Sequence, residues 1–95
     1  MDNILFIDTS SNKRIIVKLK IDKKEHTLKR KIGKNKAQVV LPMIYNLLKK
    51  QKTSLKNLNE VEIYASEGSF TGIRVGTAIA NALSFALKIP VVIIK

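Results

Sequence analysis

Hydrophobic residues recur along this chain with two different periods, and the switches between them mark out seven elements. Residues 3–7 form an uninterrupted apolar run that ends in the polar cluster Asp8-Thr9-Ser10-Ser11-Asn12. A run without alternation predicts a central strand covered on both faces, and the cluster predicts a turn. From 14 to 21 the pattern alternates, with Ile15, Val17, Leu19 and Ile21 on one side and Lys18 and Lys20 on the other. That is a strand with one face on a core. Asp22-Lys23-Lys24 turns the chain, and 25–32 returns with His26, Leu28, Arg30 and Ile32 aligned. This third strand is the weakest and most basic, which assigns it to an edge.

After a break at 33–35 the period lengthens. Residues 36–52 predict a helix whose apolar face is Val39, Val40, Met43, Ile44, Leu47 and Leu48, with Gln38, Tyr45, Lys49 and Lys52 opposite. Pro42 has no amide to donate, so it belongs in the first turn or marks a kink. A polar connection with helical-turn character (53–59) leads to a short strand around Val61, Ile63 and Ala65. Residues 67–87 then form a Gly-punctuated loop running straight into a second helix, for which Ser69 or Thr71 offers an N-cap hydroxyl. Val75, Gly76, Ile79, Ala80, Ala82, Leu83, Ala86 and Leu87 form one broad face, predicted to lie on a sheet. Gly72, Gly76 and Ala80 are spaced four apart and allow close backbone approach. Arg74, Ala78, Asn81 and Phe85 make a second seam where a solvated helix would carry Lys and Glu, so this helix is expected to touch two things. Pro90 opens a last strand, 91–94, apolar on both faces. The order is β-β-β-α-β-α-β, with no internal repeat. Helix-linked strands pair in parallel by right-handed crossover, which predicts a mixed five-stranded sheet carrying two main helices.

The nonapeptide Gly68-Ser69-Phe70-Thr71-Gly72-Ile73-Arg74-Val75-Gly76 resembles the GSFTG-[LI]-R-[IV]-G signature of the TsaB (YeaZ) family. Ile4-Leu5-Phe6-Ile7-Asp8-Thr9-Ser10 resembles that family's opening strand. Val40-Leu41-Pro42-Met43-Ile44 resembles its LLPLI helix, and Lys88-Ile89-Pro90-Val91 its closing turn. The resemblance runs over nearly the whole chain, in family order. It implies the ribonuclease-H-like fold, the half-domain of actin, Hsp70 and sugar kinases, with strand order 3-2-1-4-5. It also implies that residues 1–95 correspond to the family's N-terminal domain, without its second one. Two departures stand out. The family's Gly-Pro before GSFTG is Ser66-Glu67 here, and its His-Ser-Glu before the Pro helix is Lys36-Ala37-Gln38.

Composition adds bounds. Ninety-five residues make one domain, of a size that buries roughly 60–65% of its unfolded surface, and 45% hydrophobic residues suffice for a core. The absence of cysteine excludes disulfides, thiolate metal sites and a Cys nucleophile, and fits a reducing cytoplasm. No signal peptide is readable at the N-terminus. Arg74, Asn81 and Lys88 interrupt the longest apolar stretch, from which no membrane span is expected. Eighteen Lys and Arg against seven Asp and Glu give a net charge of +11, which favours polyanions. With two Tyr, three Phe, no Trp and scattered cations, the expectation is non-specific tRNA affinity, not specific reading.

Asp8, at the end of the first strand, is the sharpest candidate for chemistry. Ribonuclease-H-like nucleases hold two metal ions between an Asp there and carboxylates from the first helix and the fourth strand's end. Glu67 occupies the last of these positions, but 36–52 contains no Asp or Glu, so a nuclease lacks its third ligand. The alternative is that Asp8 orders its own turn. Asp8, Thr9, Ser10 and Ser11 also match the place of the first phosphate-binding hairpin in actin-like kinases, and the loop from Gly68 and Ser69 to Thr71, at a helix N-terminus, offers an anion free amides and the helix dipole. The competing reading is structural, since the same residues turn the chain into a closely packed helix. His26 stands alone without further metal ligands, and Ser10, Ser11 and Ser69 have no base partner.

The resemblance implies a non-catalytic scaffold of tRNA threonylcarbamoyladenosine (t6A) biosynthesis that dimerises with a TsaD-like catalytic subunit. A TsaE-like ATPase joins that pair; no cofactor is expected in this chain, and ATP only in the assembled complex. The expected interface is Gly72, Arg74, Ala78, Asn81 and Phe85, with Pro42 and Tyr45 from the first helix, serving a homodimer when the chain is alone. The alternatives are a nucleotide- or metal-dependent enzyme completed by dimerisation, and a basic RNA-binding accessory domain.

Overall fold

The alternating and helical periods become five strands and two helices. The computed structural model of the chain describes residues 2–32, 36–65 and 67–94. In order these are β1 (Asn3–Asp8), β2 (Arg14–Ile21), β3 (Lys24–Lys31), α1 (Lys36–Lys50), a 3-10 turn (Leu55–Asn57), β4 (Glu60–Tyr64), α2 (Phe70–Leu87) and β5 (Val91–Ile94). The sheet runs β3-β2-β1-β4-β5, as expected. β1 pairs antiparallel with β2 and parallel with β4; β2 with β3 is antiparallel and β4 with β5 parallel. The expected break at 33–35, and Ser66 in the second loop, lie outside the described residues.

Both helices lie on the same face of the sheet and touch each other, α1 over β2 and β3, α2 over β4 and β1. Between them and the sheet sits the core. Leu5 and Ile7, Ile15, Val17 and Leu19, and Val61 and Ile63 meet Val40, Met43, Ile44, Leu47 and Leu48 of α1 and Ala80 of α2.

The other face is open, which corrects the expectation of a first strand covered on both sides. Only alternate residues of β1 are buried; Ile4, Phe6 and Asp8 are half-buried on the uncovered side. Their apolar area is shielded by long cations instead of by a second layer. The Lys18 ammonium lies 5.4 Å from the centre of the Phe6 ring. Lys20 pairs with Glu62 across β1 at 3.1 Å, and Lys18 with Glu25 at 3.5 Å. β5 likewise is not buried on both faces. It forms the second edge, and Val92 and Ile93 are exposed.

α1 ends two residues earlier than its pattern predicts. Lys52 takes the left-handed conformation (φ 54°), and the Thr53 amide donates back to the Leu48 carbonyl at 3.0 Å, closing the helix. Pro42 lies in the helix interior instead of the first turn. Its ring is on the solvated side, and Gln38, whose carbonyl loses a partner, is exposed as well.

α2 starts at its cap: the Gly72 amide donates to Ser69 Oγ at 3.1 Å. It stops at Lys88, again left-handed (φ 57°), with the Lys88 and Ile89 amides both returning to the Ser84 carbonyl. The buried stripe is Gly72, Gly76 and Ala80. Ala82 and Ala86, predicted to face the sheet, are exposed. The helix is rolled so that Ile73, Thr77 and Ser84 take the inner flank. Those hydroxyls are satisfied there, Thr77 Oγ1 by the Ile73 carbonyl at 2.8 Å and Ser84 Oγ by the Ile89 carbonyl. Eighteen residues at a mean hydropathy of 1.3 do give α2 the length and composition of a membrane span, contrary to expectation. Its small-residue stripe is what seats it on the sheet.

Candidate functional site

The ends of β1 and β4 and the start of α2 are locked together by three short residues. Thr9, fully buried, pushes its hydroxyl into the first turns of α2. Oγ1 donates to the Gly72 carbonyl at 2.5 Å and accepts from the Gly76 amide at 3.1 Å, the two groups that define one helical turn. A Cβ at Gly76 would stand 2.5 Å from Thr9 Oγ1 and 2.7 Å from Ile63 Cδ1, so only glycine admits this approach. At the loop, Ser69 donates its amide to the Ser10 carbonyl at 2.7 Å. Gly68, at φ +123°, passes so close that a Cβ would meet Ser10 O at 2.5 Å.

Beside this joint opens a polar pocket of about 380 Å³, walled by Asp8, Ser11, Arg14, Tyr64 and Glu67, with Ser10 and Gly68 at its edge. Four of the six phosphate-loop candidates, Asp8, Ser10, Ser11 and Gly68, therefore reach one cavity. Thr9 and Ser69 do not line it. Thr9 is sealed under α2 by its own hydrogen bonds, and the Ser69 hydroxyl is occupied as the cap. Asp8 behaves as the structural alternative anticipates, accepting from the Ser10 amide at 2.9 Å and the Ser10 hydroxyl at 2.6 Å. Arg14 and Tyr64 escaped the sequence reading. The hairpin register sets Asp8 opposite Ile16 and brings Arg14 to the end of β1, and the parallel pairing of Ile7 with Ile63 brings Tyr64 there. Asp8 and Glu67 share the pocket, but among the described residues no three of His, Cys, Asp or Glu cluster as a metal site would need. His26 is half-buried on β3, opposite Leu19.

The second candidate surface is the outward side of the helices. Arg74, Ala78 and Asn81 are exposed, and Phe85 is 88% exposed. Arg74 lies 5.5 Å from the ring centre of Phe70, itself 75% exposed. On α1, Pro42 is exposed, Tyr45 is 63% exposed, and Leu41 joins them. Gly72 leaves this group: it is buried, with its carbonyl bound by Thr9. The remaining residues give two helices an apolar exterior with a single cation, Arg74, among them.

Residues 21–95 match a family model described as TsaD, tRNA N6-adenosine threonylcarbamoyltransferase. The tRNA threonylcarbamoyladenosine biosynthesis protein TsaB of Buchnera aphidicola subsp. Schizaphis graminum is 41% identical, over 95% of this chain and 42% of that protein. The TsaB of Buchnera aphidicola subsp. Acyrthosiphon pisum is 37% identical, over 97% and 42%. That of Escherichia coli K12 is 36% identical, over 58% and 24%. Among solved structures, YeaZ from Pseudomonas aeruginosa superposes with a TM-score of 0.93 at 28% identity, covering all of this chain and 44% of its own. The chain thus spans less than half the length of these relatives.

Proposed function

The chain belongs to the family described as TsaD, tRNA N6-adenosine threonylcarbamoyltransferase, on its TsaB (YeaZ) side, and from that premise we propose that it is a non-catalytic partner subunit of tRNA threonylcarbamoyladenosine biosynthesis. It works in the cytoplasm, holding a TsaD-like catalytic subunit against the exposed sides of α1 and α2, with a TsaE-like ATPase joining the pair. ATP then belongs to the assembly, and tRNA reaches this chain through that assembly or by charge alone. The observation that carries the reading is the set of exposed apolar residues on the helices, Ala78 and Phe85 on α2 and Leu41 and Tyr45 on α1. Small and aromatic residues on one seam suit a helix-to-helix contact, since Ala admits close approach and Phe fills the space beside it. Alone, the chain would use this surface for a two-fold homodimer, which the catalytic subunit displaces.

The strand-end pocket supports the same division of labour. Asp8 is spent on its own turn, and α1 brings no carboxylate toward it. The test is capture of the chain by a TsaD-like subunit, with Ala78→Glu and Phe85→Arg as variants. Either charge is costly to bury unpaired, so capture is expected to fall at least tenfold while circular dichroism is unchanged. Unchanged capture by both variants removes the seam as the interface. In parallel, ATP and nucleic acid should be untouched by the isolated chain with Mg²⁺ or Mn²⁺. Turnover abolished by Asp8→Ala would instead establish an enzyme at the pocket.

A further inference from the structure

Where the end of α1 meets the 3-10 turn and the last turn of α2, the surface is hollow. A groove of about 560 Å³ has Leu48 and Leu87 as its floor, Tyr45 and Leu55 as its walls, and Lys49 and Lys56 at its rim. Leu48 is almost fully buried, whereas Leu55 is 38% exposed and available to contact. The hydroxyls of Thr53 and Ser54, beside it, already face the Asn57 amide at 3.2 and 3.4 Å. What the groove offers a visitor is therefore mainly apolar surface, with Lys49 and Lys56 among the residues that line it.

The distribution of charge decides which visitor. All seven carboxylates of the chain are Asp2, Asp8, Asp22, Glu25, Glu60, Glu62 and Glu67. None lies between 26 and 59 or beyond 67, so both helices and the connection carrying the groove are wholly cationic where they are charged. The ion pairs at Lys18 and Lys20 stand on the open face of the sheet, opposite the helices. We infer that this groove docks an acidic polypeptide segment, an amphipathic helix presenting large apolar side chains one turn apart between carboxylates. A second copy of the chain fits this groove badly, because it would bring its own Lys49 and Lys56 against these, whereas the seam around Ala78 and Phe85 carries Arg74 as its one cation. An acidic helix lays its apolar side on Leu48, Leu55 and Leu87 while its carboxylates meet Lys49 and Lys56. Tyr45 belongs both to this groove and to the helix seam, so one partner can occupy the two together.

The inference extends the partner reading, but its test uses no t6A chemistry, so the two can fail separately. A labelled 15-residue helical peptide with Leu at two positions four apart, each framed by Glu, is titrated against the chain by fluorescence anisotropy. Two controls replace Glu by Lys and Leu by Ser. The Glu/Leu peptide is expected to bind, and to bind at least tenfold more weakly to the Lys49→Glu/Lys56→Glu double variant and to Leu55→Ser. The Lys peptide is expected to prefer the double variant. These positions are exposed, and circular dichroism of each variant verifies the fold. Equal affinity for the charge-reversed chain, equal binding of the Lys peptide to the native chain, or no binding at millimolar peptide would overturn the inference. So would a dimer, seen by light scattering, that is lost on Leu55→Ser, because the groove would then belong to a second copy.

Discussion

Thr9 joins two elements that are 63 residues apart through a single hydroxyl. Its bonds to the Gly72 carbonyl and the Gly76 amide fix how deep α2 sits on the sheet. Replacing the hydroxyl by a methyl in Thr9→Val removes both bonds and leaves the two backbone groups only their partners within α2, at a cost of about 1–3 kcal/mol. Thr9→Ser keeps the hydroxyl and should lose only about 1 kcal/mol for the missing methyl. Gly76→Ala attacks the joint from the other side. Its Cβ would overlap the Thr9 hydroxyl and Ile63 together, and overpacking of this kind costs about 1–3 kcal/mol. In thermal unfolding each kcal/mol is worth about 4–8 °C for a domain of this size. Melting temperatures of Thr9→Val and Gly76→Ala within a degree of the native chain would mean that the joint contributes nothing to stability.

At the level of elements, α2 depends more on its ends than on a wide apolar footprint. It rests on the sheet through a buried row of small residues flanked by half-buried Ile79, Leu83 and Leu87, and its outer side is largely exposed. Its N-terminus has no acidic residue in the first turn, so the Ser69 hydroxyl carries the capping. Ser69→Ala is expected to cost about 1 kcal/mol, and Ser69→Asp to retain the cap with an added favourable charge at the helix N-terminus. Equal loss for Ala and Asp in denaturant titrations would show that the hydroxyl acts in some other way. The same footing leaves α2 with a second side for a partner, because Ala78 and Phe85 are not needed inside.

For the molecule as a whole, charge and hydrophobicity are sorted by face. Carboxylates gather on the strands and the loops at their ends, where Glu25 and Glu62 pair with Lys18 and Lys20; the helices keep apolar residues and cations. A net charge of +11 with cations scattered along the chain predicts tRNA binding that is electrostatic and indifferent to sequence. Affinity measured by filter binding should fall at least about a hundredfold between roughly 50 and 200 mM salt, and differ little among tRNA species. A single tRNA species retained at high salt would show that the chain reads RNA directly.

Element order and the cap at Ser69 were legible in the chain because each rests on local patterning: period 2, period 3.6, and a hydroxyl before a helix; the strand order 3-2-1-4-5 came from the family resemblance. The apolar rows of Ile15, Val17 and Leu19 and of Val40, Ile44 and Leu47 named most of the core in the same way. Coverage was not legible. A continuous apolar strand looks the same whether its second face meets a helix or lysine stems, so the open side of β1 waited on the positions of the helices. The roll of α2 was hidden for a related reason. Thr77 and Ser84 look polar in sequence, and only backbone carbonyls in reach let them turn inward while Ala82 and Ala86 turned out. Gly72 and Gly76 announced a close approach without saying to what. The pocket of Asp8, Arg14, Tyr64 and Glu67 and the groove between Leu48, Leu55 and Leu87 were decided by tertiary structure alone, since each gathers residues from separate elements whose meeting depends on register and crossover, which no local pattern encodes.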